Sequence, residues 1–136
     1  MKKAYVSHSI RGEYGPNATV EQMRQHCEIV KQFIDMLRVN MAHRKAQGES
    51  FAIQLNSGPM ILPTDVEFYV PAEHEEFVQL AYAKKYMNEQ QILDVDCSII
   101  ETCDAVFAFG PPELSRGMQI EIAFAKEHDI PVYYMG

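Results

Sequence analysis

The sequence predicts an α/β domain of three layers, a mostly parallel sheet of about four to five strands with helices on both faces. Three observations carry that prediction. Short β-compatible apolar runs alternate with stretches whose apolar positions recur every three or four residues. The helical stretches between strand candidates are long enough to cross back over a sheet, which implies parallel strands joined by right-handed crossovers. A chain of 136 residues, 47% hydrophobic and 23% charged, fits one domain, and that length buries roughly two-thirds of the unfolded surface without disulfides or structural metal.

Residues 4–7 form a first short strand, and 10–17, rich in Gly, Pro and Asn, a loop. Thr19 and Gln22 have capping-box spacing, and Val20, Met23, Cys27, Val30, Ile34, Leu37 and Met41 follow at helical intervals. One amphipathic helix should therefore reach about Arg44, closed by 45–49 with Gly48. Residues 51–55 and 66–70 are both strand candidates, separated by the turn-rich NSGPMILPTD; the second is favoured because a helical stretch follows it directly. A helical pattern spans 73–87, and Asn88 opens another that reaches about Thr102. DAVFAF (104–109) reads as a buried strand, 110–117 as a loop, 118–128 as a helix and 130–134 as a last strand. This pattern is Rossmann-like, of the flavodoxin kind, with ligands expected beyond the carboxyl ends of the strands. The loops 7–15, 71–76 and 110–117 should then share one rim.

Charge and composition narrow the partners. Twelve Lys and Arg against 19 Asp and Glu give a net charge of −7, which excludes the basic footprint a nucleic-acid polymer needs and leaves room for a small anionic ligand. No stretch approaches a membrane span, and MKKAYVSHSI reads as a first strand, not a signal peptide. A cytoplasmic protein is expected. Cys27, Cys97 and Cys103 have no metal-ligand spacing and read as buried thiols.

Two acids fall on the wrong faces. On a wheel begun at Met118, Gln119, Lys126, Glu127 and Asp129 share one side, while Glu121 lies opposite among Met118, Ile120, Phe124 and Ala125. In 89–103, Asp96 sits in the middle of the set Ile92, Leu93, Ile99, Ile100 and Cys103. An inward carboxylate is paired, hydrogen-bonded, protonated or exposed to a cleft. Bland accounts exist: Asp96 caps a helix that restarts there, and Glu121 pairs with Arg11 or Arg116.

The flanking loops add polar groups. Ser115 and Gly117 precede a helix whose free N–H groups and dipole favour an anion, although the same pattern serves as a plain cap. YVSHSIRG brings together Tyr5, Ser7, His8, Ser9 and Arg11; Arg11 can fork onto a phosphate, and His8 is either a structural histidine or a proton carrier. His26, His43 and His128 show no ligand spacing, and His74 falls on the expected rim.

The spacing Tyr5-x-x-x-SIRG, then Asp96-x7-Asp104-Ala-Val, then Ser115-x-Gly117-x3-Glu121 before a Pro-Val strand, resembles the nucleoside 2-deoxyribosyltransferase superfamily. SIRG with SxGxxxE is most similar to its 2′-deoxynucleoside 5′-monophosphate N-glycosidase branch. The likeness spans 5–12 and 94–134 and leaves 45–90 unmatched. It implies a single nucleoside deoxyribosyltransferase-like domain over 1–136, acting on a small nucleotide or nucleoside without metal or organic cofactor. It further implies Glu121 as nucleophile at the anomeric carbon, Asp96 as proton donor to the departing base and Tyr5 as the residue that orients Glu121. Ser7, His8, Ser9, Ile10, Arg11 and Gly12, with Ser115, Arg116 and Gly117, would line the substrate and its 5′-phosphate. Relatives are homo-oligomers, so two or more copies are expected. His8 stands where relatives carry glycine, and Asp104 reads as structural at a strand start. Base exchange between nucleosides is the alternative within the superfamily. A non-catalytic binder of a nucleotide or ADP-ribose-like ligand is the alternative outside it, and a pure anion binder gains nothing from two acids.

Overall fold

The computed structural model describes residues 1–10 and 17–136, apart from the side chains of Tyr82 and Leu114. The elements run β1 (Lys3–His8), α1 (Val20–Ala46), β2 (Phe51–Leu55), β3 (Gly58–Leu62), β4 (Glu67–Tyr69), a 3-10 turn (Pro71–His74), α2 (Glu75–Ala83), α3 (Glu89–Ile100), β5 (Ala105–Phe109), a short 3-10 turn (Pro112–Leu114), α4 (Arg116–Glu127) and β6 (Val132–Met135). Among the described residues, four strands form one parallel sheet in the order β4-β1-β5-β6. In order of appearance that is 2-1-3-4. The order of strand addition switches sides between β1 and β5, and the crevice beyond their carboxyl ends is where such sheets hold ligands.

Alternation along β1 divides the packing. Ala4 and Val6 join Cys27, Val30 and Ile34 of α1, with Phe68, Ala105 and Phe107 in one buried cluster. Tyr5 faces the other way, with Ile100 of α3, Val106 and Ala125 of α4. A second apolar group on α4, Met118 and Ile122, closes over Ala108. All three thiols are free and buried.

Helix α1 starts as its sequence requires. Thr19 Oγ1 accepts from the Gln22 N–H at 3.1 Å, and Gln22 Oε1 accepts from the Thr19 N–H at 2.9 Å. Replacing Thr19 with Ala leaves the Gln22 N–H without its partner and should lower unfolding free energy by about 1 kcal/mol, read from denaturant midpoints at constant slope.

Residues 51–55 form a strand as expected, whereas 58–62, read as turn-rich, form a second one. Together they are a separate antiparallel hairpin, with Leu55 opposite Gly58 across the pair Asn56-Ser57. Gly58 (φ +129°) and Pro59 read as breakers in sequence, yet here the glycine supplies the turn and the proline lies in a two-stranded ribbon that has an open edge. Phe51, Ile53, Leu55 and Leu62 point into the core, and the Asn56 N–H donates to Tyr134 O at 2.9 Å, tying the hairpin to β6. At the other edge, Arg38 forks onto Glu73 at 2.7 and 2.8 Å and donates to Phe68 O at 3.0 Å. That strut fastens the turn after β4 to α1. The stretch expected as one helix over 73–87 is instead this turn followed by α2.

Candidate active site

The two misplaced acids meet on the Tyr5 side of the sheet. In α4 the buried positions are Met118, Glu121, Ile122 and Ala125, so Glu121 occupies the centre of the helix's inward stripe and is only 4% exposed. Helix α3 runs unbroken through Asp96, between the buried Leu93, Cys97 and Ile100, so Asp96 caps nothing. Strand β1 supplies hydrogen-bond partners for both oxygens of Glu121. The Tyr5 hydroxyl donates to Oε2, and Ser7 Oγ donates to Oε1 at 2.8 Å. Tyr5 and Ser7 are two residues apart on a strand, so both hydroxyls leave the same face toward α4.

Electrostatics follow from burial. Desolvation first, and the Asp96 carboxylate second, push the Glu121 carboxyl up to about 8, against the pull of the two hydroxyls. Desolvation pushes Asp96 up to about 6, while hydrogen bonding to Glu121 and Tyr5 holds it down. The two carboxyls interact directly and so titrate as a unit. Burial, then the charges of Glu121 and Asp96, keep the Tyr5 phenol well above its ordinary value, so Tyr5 stays a donor.

The remaining rim residues sort by their contacts. The imidazole of His8 is buried: Nε2 accepts from the Ala72 N–H at 3.0 Å, which leaves Nδ1–H to donate to Ser9 O at 3.1 Å. Burial lowers this imidazole to about 4, and with both nitrogens engaged it ties β1 to the Pro71–His74 turn as a structural histidine. Ile10 packs against the α1-side core. Ser115 caps α4, its Oγ accepting from the Met118 N–H at 3.2 Å. Gly117 lies against Leu93 of α3, where an added Cβ would make an ordinary 3.5 Å contact. Arg116 is exposed, 3.9 Å from Glu89, and does not reach Glu121. Arg11 and Gly12 lie outside the described residues. Gly110 (φ +87°) turns the chain out of β5 in a backbone geometry that favours glycine, its N–H bonded to Met135 O. Asp104 sits at the opposite end of the sheet, accepting from the Lys2 and Lys3 N–H groups at 2.7 and 3.0 Å, a structural role as expected.

Tyr69 also contributes, without standing out in the sequence. Tyr69, paired in register with Tyr5, stacks on it at 5.7 Å, and His74 stacks on the far side of Tyr69 at 5.0 Å. The stack braces Tyr5 from the β4 side. Its signal was the alternation Phe68-Tyr69, whose meaning depends on a parallel register that sequence does not display.

Fold and site together define an α/β protein in which a buried glutamate, clamped by two hydroxyls of β1, meets a half-buried aspartate on one side of a parallel sheet. The chain belongs to the family described as a domain of unknown function, DUF7768, whose model matches residues 67–135. The matched stretch holds both acids and leaves out β1. No curated protein and no solved structure matches the chain.

Proposed function

We propose that the protein hydrolyses the N-glycosidic bond of a (deoxy)nucleoside 5′-monophosphate. The observation that carries this reading is Glu121, buried in an apolar helix face yet clamped by Tyr5 and Ser7 and facing Asp96. A dyad with one proton has the composition that a double displacement requires. Ionised Glu121 attacks C1′ of the sugar, the C1′–N bond breaks, and the electron pair leaves with the base nitrogen, which takes the proton of Asp96. Water then attacks C1′ and gives its proton to Asp96. The C1′–O bond to Glu121 breaks, freeing the sugar 5-phosphate and restoring the dyad. Attack requires the form in which Asp96 carries the proton and Glu121 is ionised, a form that the two hydroxyls on Glu121 favour.

The phosphate falls to the start of α4, where Ser115 and Gly117 open the helix, with Ser9 and Arg11 from the β1 loop. The same reading takes the domain as three-layered and flavodoxin-like, which the 2-1-3-4 strand order supports. The protein would work in a reducing cytoplasm, consistent with three buried free thiols; no described helix is long and apolar enough to cross a membrane. Self-association is supported by Ile29, Met36 and Val39, exposed by 57%, 70% and 70% on α1.

The test is incubation with a panel of nucleoside and deoxynucleoside 5′-monophosphates, followed by chromatography for free base. Release of base with sugar phosphate is expected. Adding an acceptor base and recovering a new nucleotide would shift the reading to base exchange. A folded protein that releases no base from any member overturns both.

A further inference from the structure

We infer that Ser7 is a positioning residue for the Glu121 carboxylate and not a substrate contact. The inference rests on the nucleophile reading above for its catalytic meaning, and on geometry for its physical content. Ser7 is fully buried, and its hydroxyl is directed at Glu121 Oε1 at 2.8 Å. Tyr5, two residues earlier on the same strand face, holds the other oxygen.

A glutamate on a helix turns about three side-chain torsions, and one donor fixes one oxygen while leaving the carboxylate plane free to swing. Two donors from one rigid strand fix the plane. Strand β1 is well suited to this, since its Ser7 and His8 are registered against Ala108 and Phe109 of β5 at the crevice. The lone pair offered to an anomeric carbon is thereby given one direction, which is the pre-orientation an attacking group needs. Both hydroxyls also favour the ionised over the protonated carboxyl, so the clamp prepares charge as well as direction. Tyr5 is backed by the Tyr69–His74 stack, whereas Ser7 carries no ring. Of the two donors, Ser7 can be removed without disturbing an aromatic cluster.

The test compares wild type with Ser7→Ala and Ser7→Thr on two readouts. The first is the titration of Glu121 in the ligand-free protein, followed by NMR of side-chain-carboxyl-labelled glutamate. The second is kcat and KM for the nucleotide that the panel identifies. Ser7→Ala should move the Glu121 titration upward, lower kcat by about 10- to 100-fold, the worth of one hydrogen bond to a charged group, and leave KM within about twofold. Ser7→Thr keeps the hydroxyl on a strand that suits β-branched residues and should return both readouts toward wild type. A raised KM at unchanged kcat would make Ser7 a substrate contact and overturn the inference; so would an unmoved titration. The titration needs no turnover, so it decides the positioning role even where the panel shows no hydrolysis, an outcome that would sink the N-glycosidase reading separately. If Ser7→Ala does not fold, the near-isosteric pair Ser7→Thr and Ser7→Val carries the same comparison.

Discussion

Replacing Glu121 with Gln should abolish base release, by at least about 1,000-fold in kcat, while the protein becomes more stable at pH 8. The loss follows from chemistry: an amide keeps the shape and one acceptor for Tyr5 or Ser7 but cannot form and discharge the glycosyl ester. The gain follows from linkage. The Glu121 carboxyl is raised to about 8 in the folded protein, against about 4.3 in an unfolded chain. Stability tied to its proton is therefore complete below about pH 4 and is lost as pH rises through about 8. Wild type should weaken along that course; the Gln variant, with no proton to lose, should not, so the gap in melting temperature widens from pH 6 to pH 8. Turnover at wild-type rate in the variant would remove Glu121 from the chemistry. A constant gap across that pH range would place its ionisation elsewhere.

Replacing Asp96 with Asn should cost about 10²- to 10⁴-fold in kcat, the span of a lost general acid, and most for bases that leave poorly without a proton. Its pH profile is the sharper readout. With one shared proton required, wild-type kcat/KM should be bell-shaped, falling below about 6 where the dyad is doubly protonated and above about 8 where it is doubly ionised. Asn at position 96 cannot lose a proton, so the alkaline fall should vanish. Removing the neighbouring charge should also lower the titration of Glu121, which alone then sets the acid limb of the variant. A persisting alkaline limb would assign that proton to another group.

The acids were legible because helical periodicity is strict. Glu121 and Asp96 could be seen as inward from a wheel alone, among Met118, Ile120, Phe124 and Ala125 and among Ile92, Leu93, Ile99, Ile100 and Cys103; of these the structure buries Met118, Ala125, Leu93, Ile100 and Cys103, and it adds Ile122 and Cys97. What they meet was not legible. Ser7 and Glu121 are 114 residues apart, and their contact depends on which strand lies beneath α4. His8 was ambiguous for the same reason: its partner is a backbone N–H 64 residues away at Ala72. The hairpin of β2 and β3 was missed for a local reason. Gly58 and Pro59 carry the chemistry of a break, and only the inward row Phe51, Ile53, Leu55 and Leu62 shows that they instead shape a ribbon. The parallel sheet itself was anticipated because its strands are short, apolar and spaced by helices, which leaves few ways to join them.

Strand β1 also sets a clock. It is made before every element it binds: Phe68 and Tyr69 of β4, then β5, and last α4, whose Glu121 follows Tyr5 by 116 residues. At about 5–20 residues per second, the ribosome takes roughly 6 to 23 seconds to deliver the second half of the clamp after the first. Until then Tyr5 and Ser7 are two hydroxyls on an apolar strand with nothing to hold. A chain ended short of α4 would hold both hydroxyls of the clamp and lack the carboxyl they orient, so on the proposed reading any activity waits for α4.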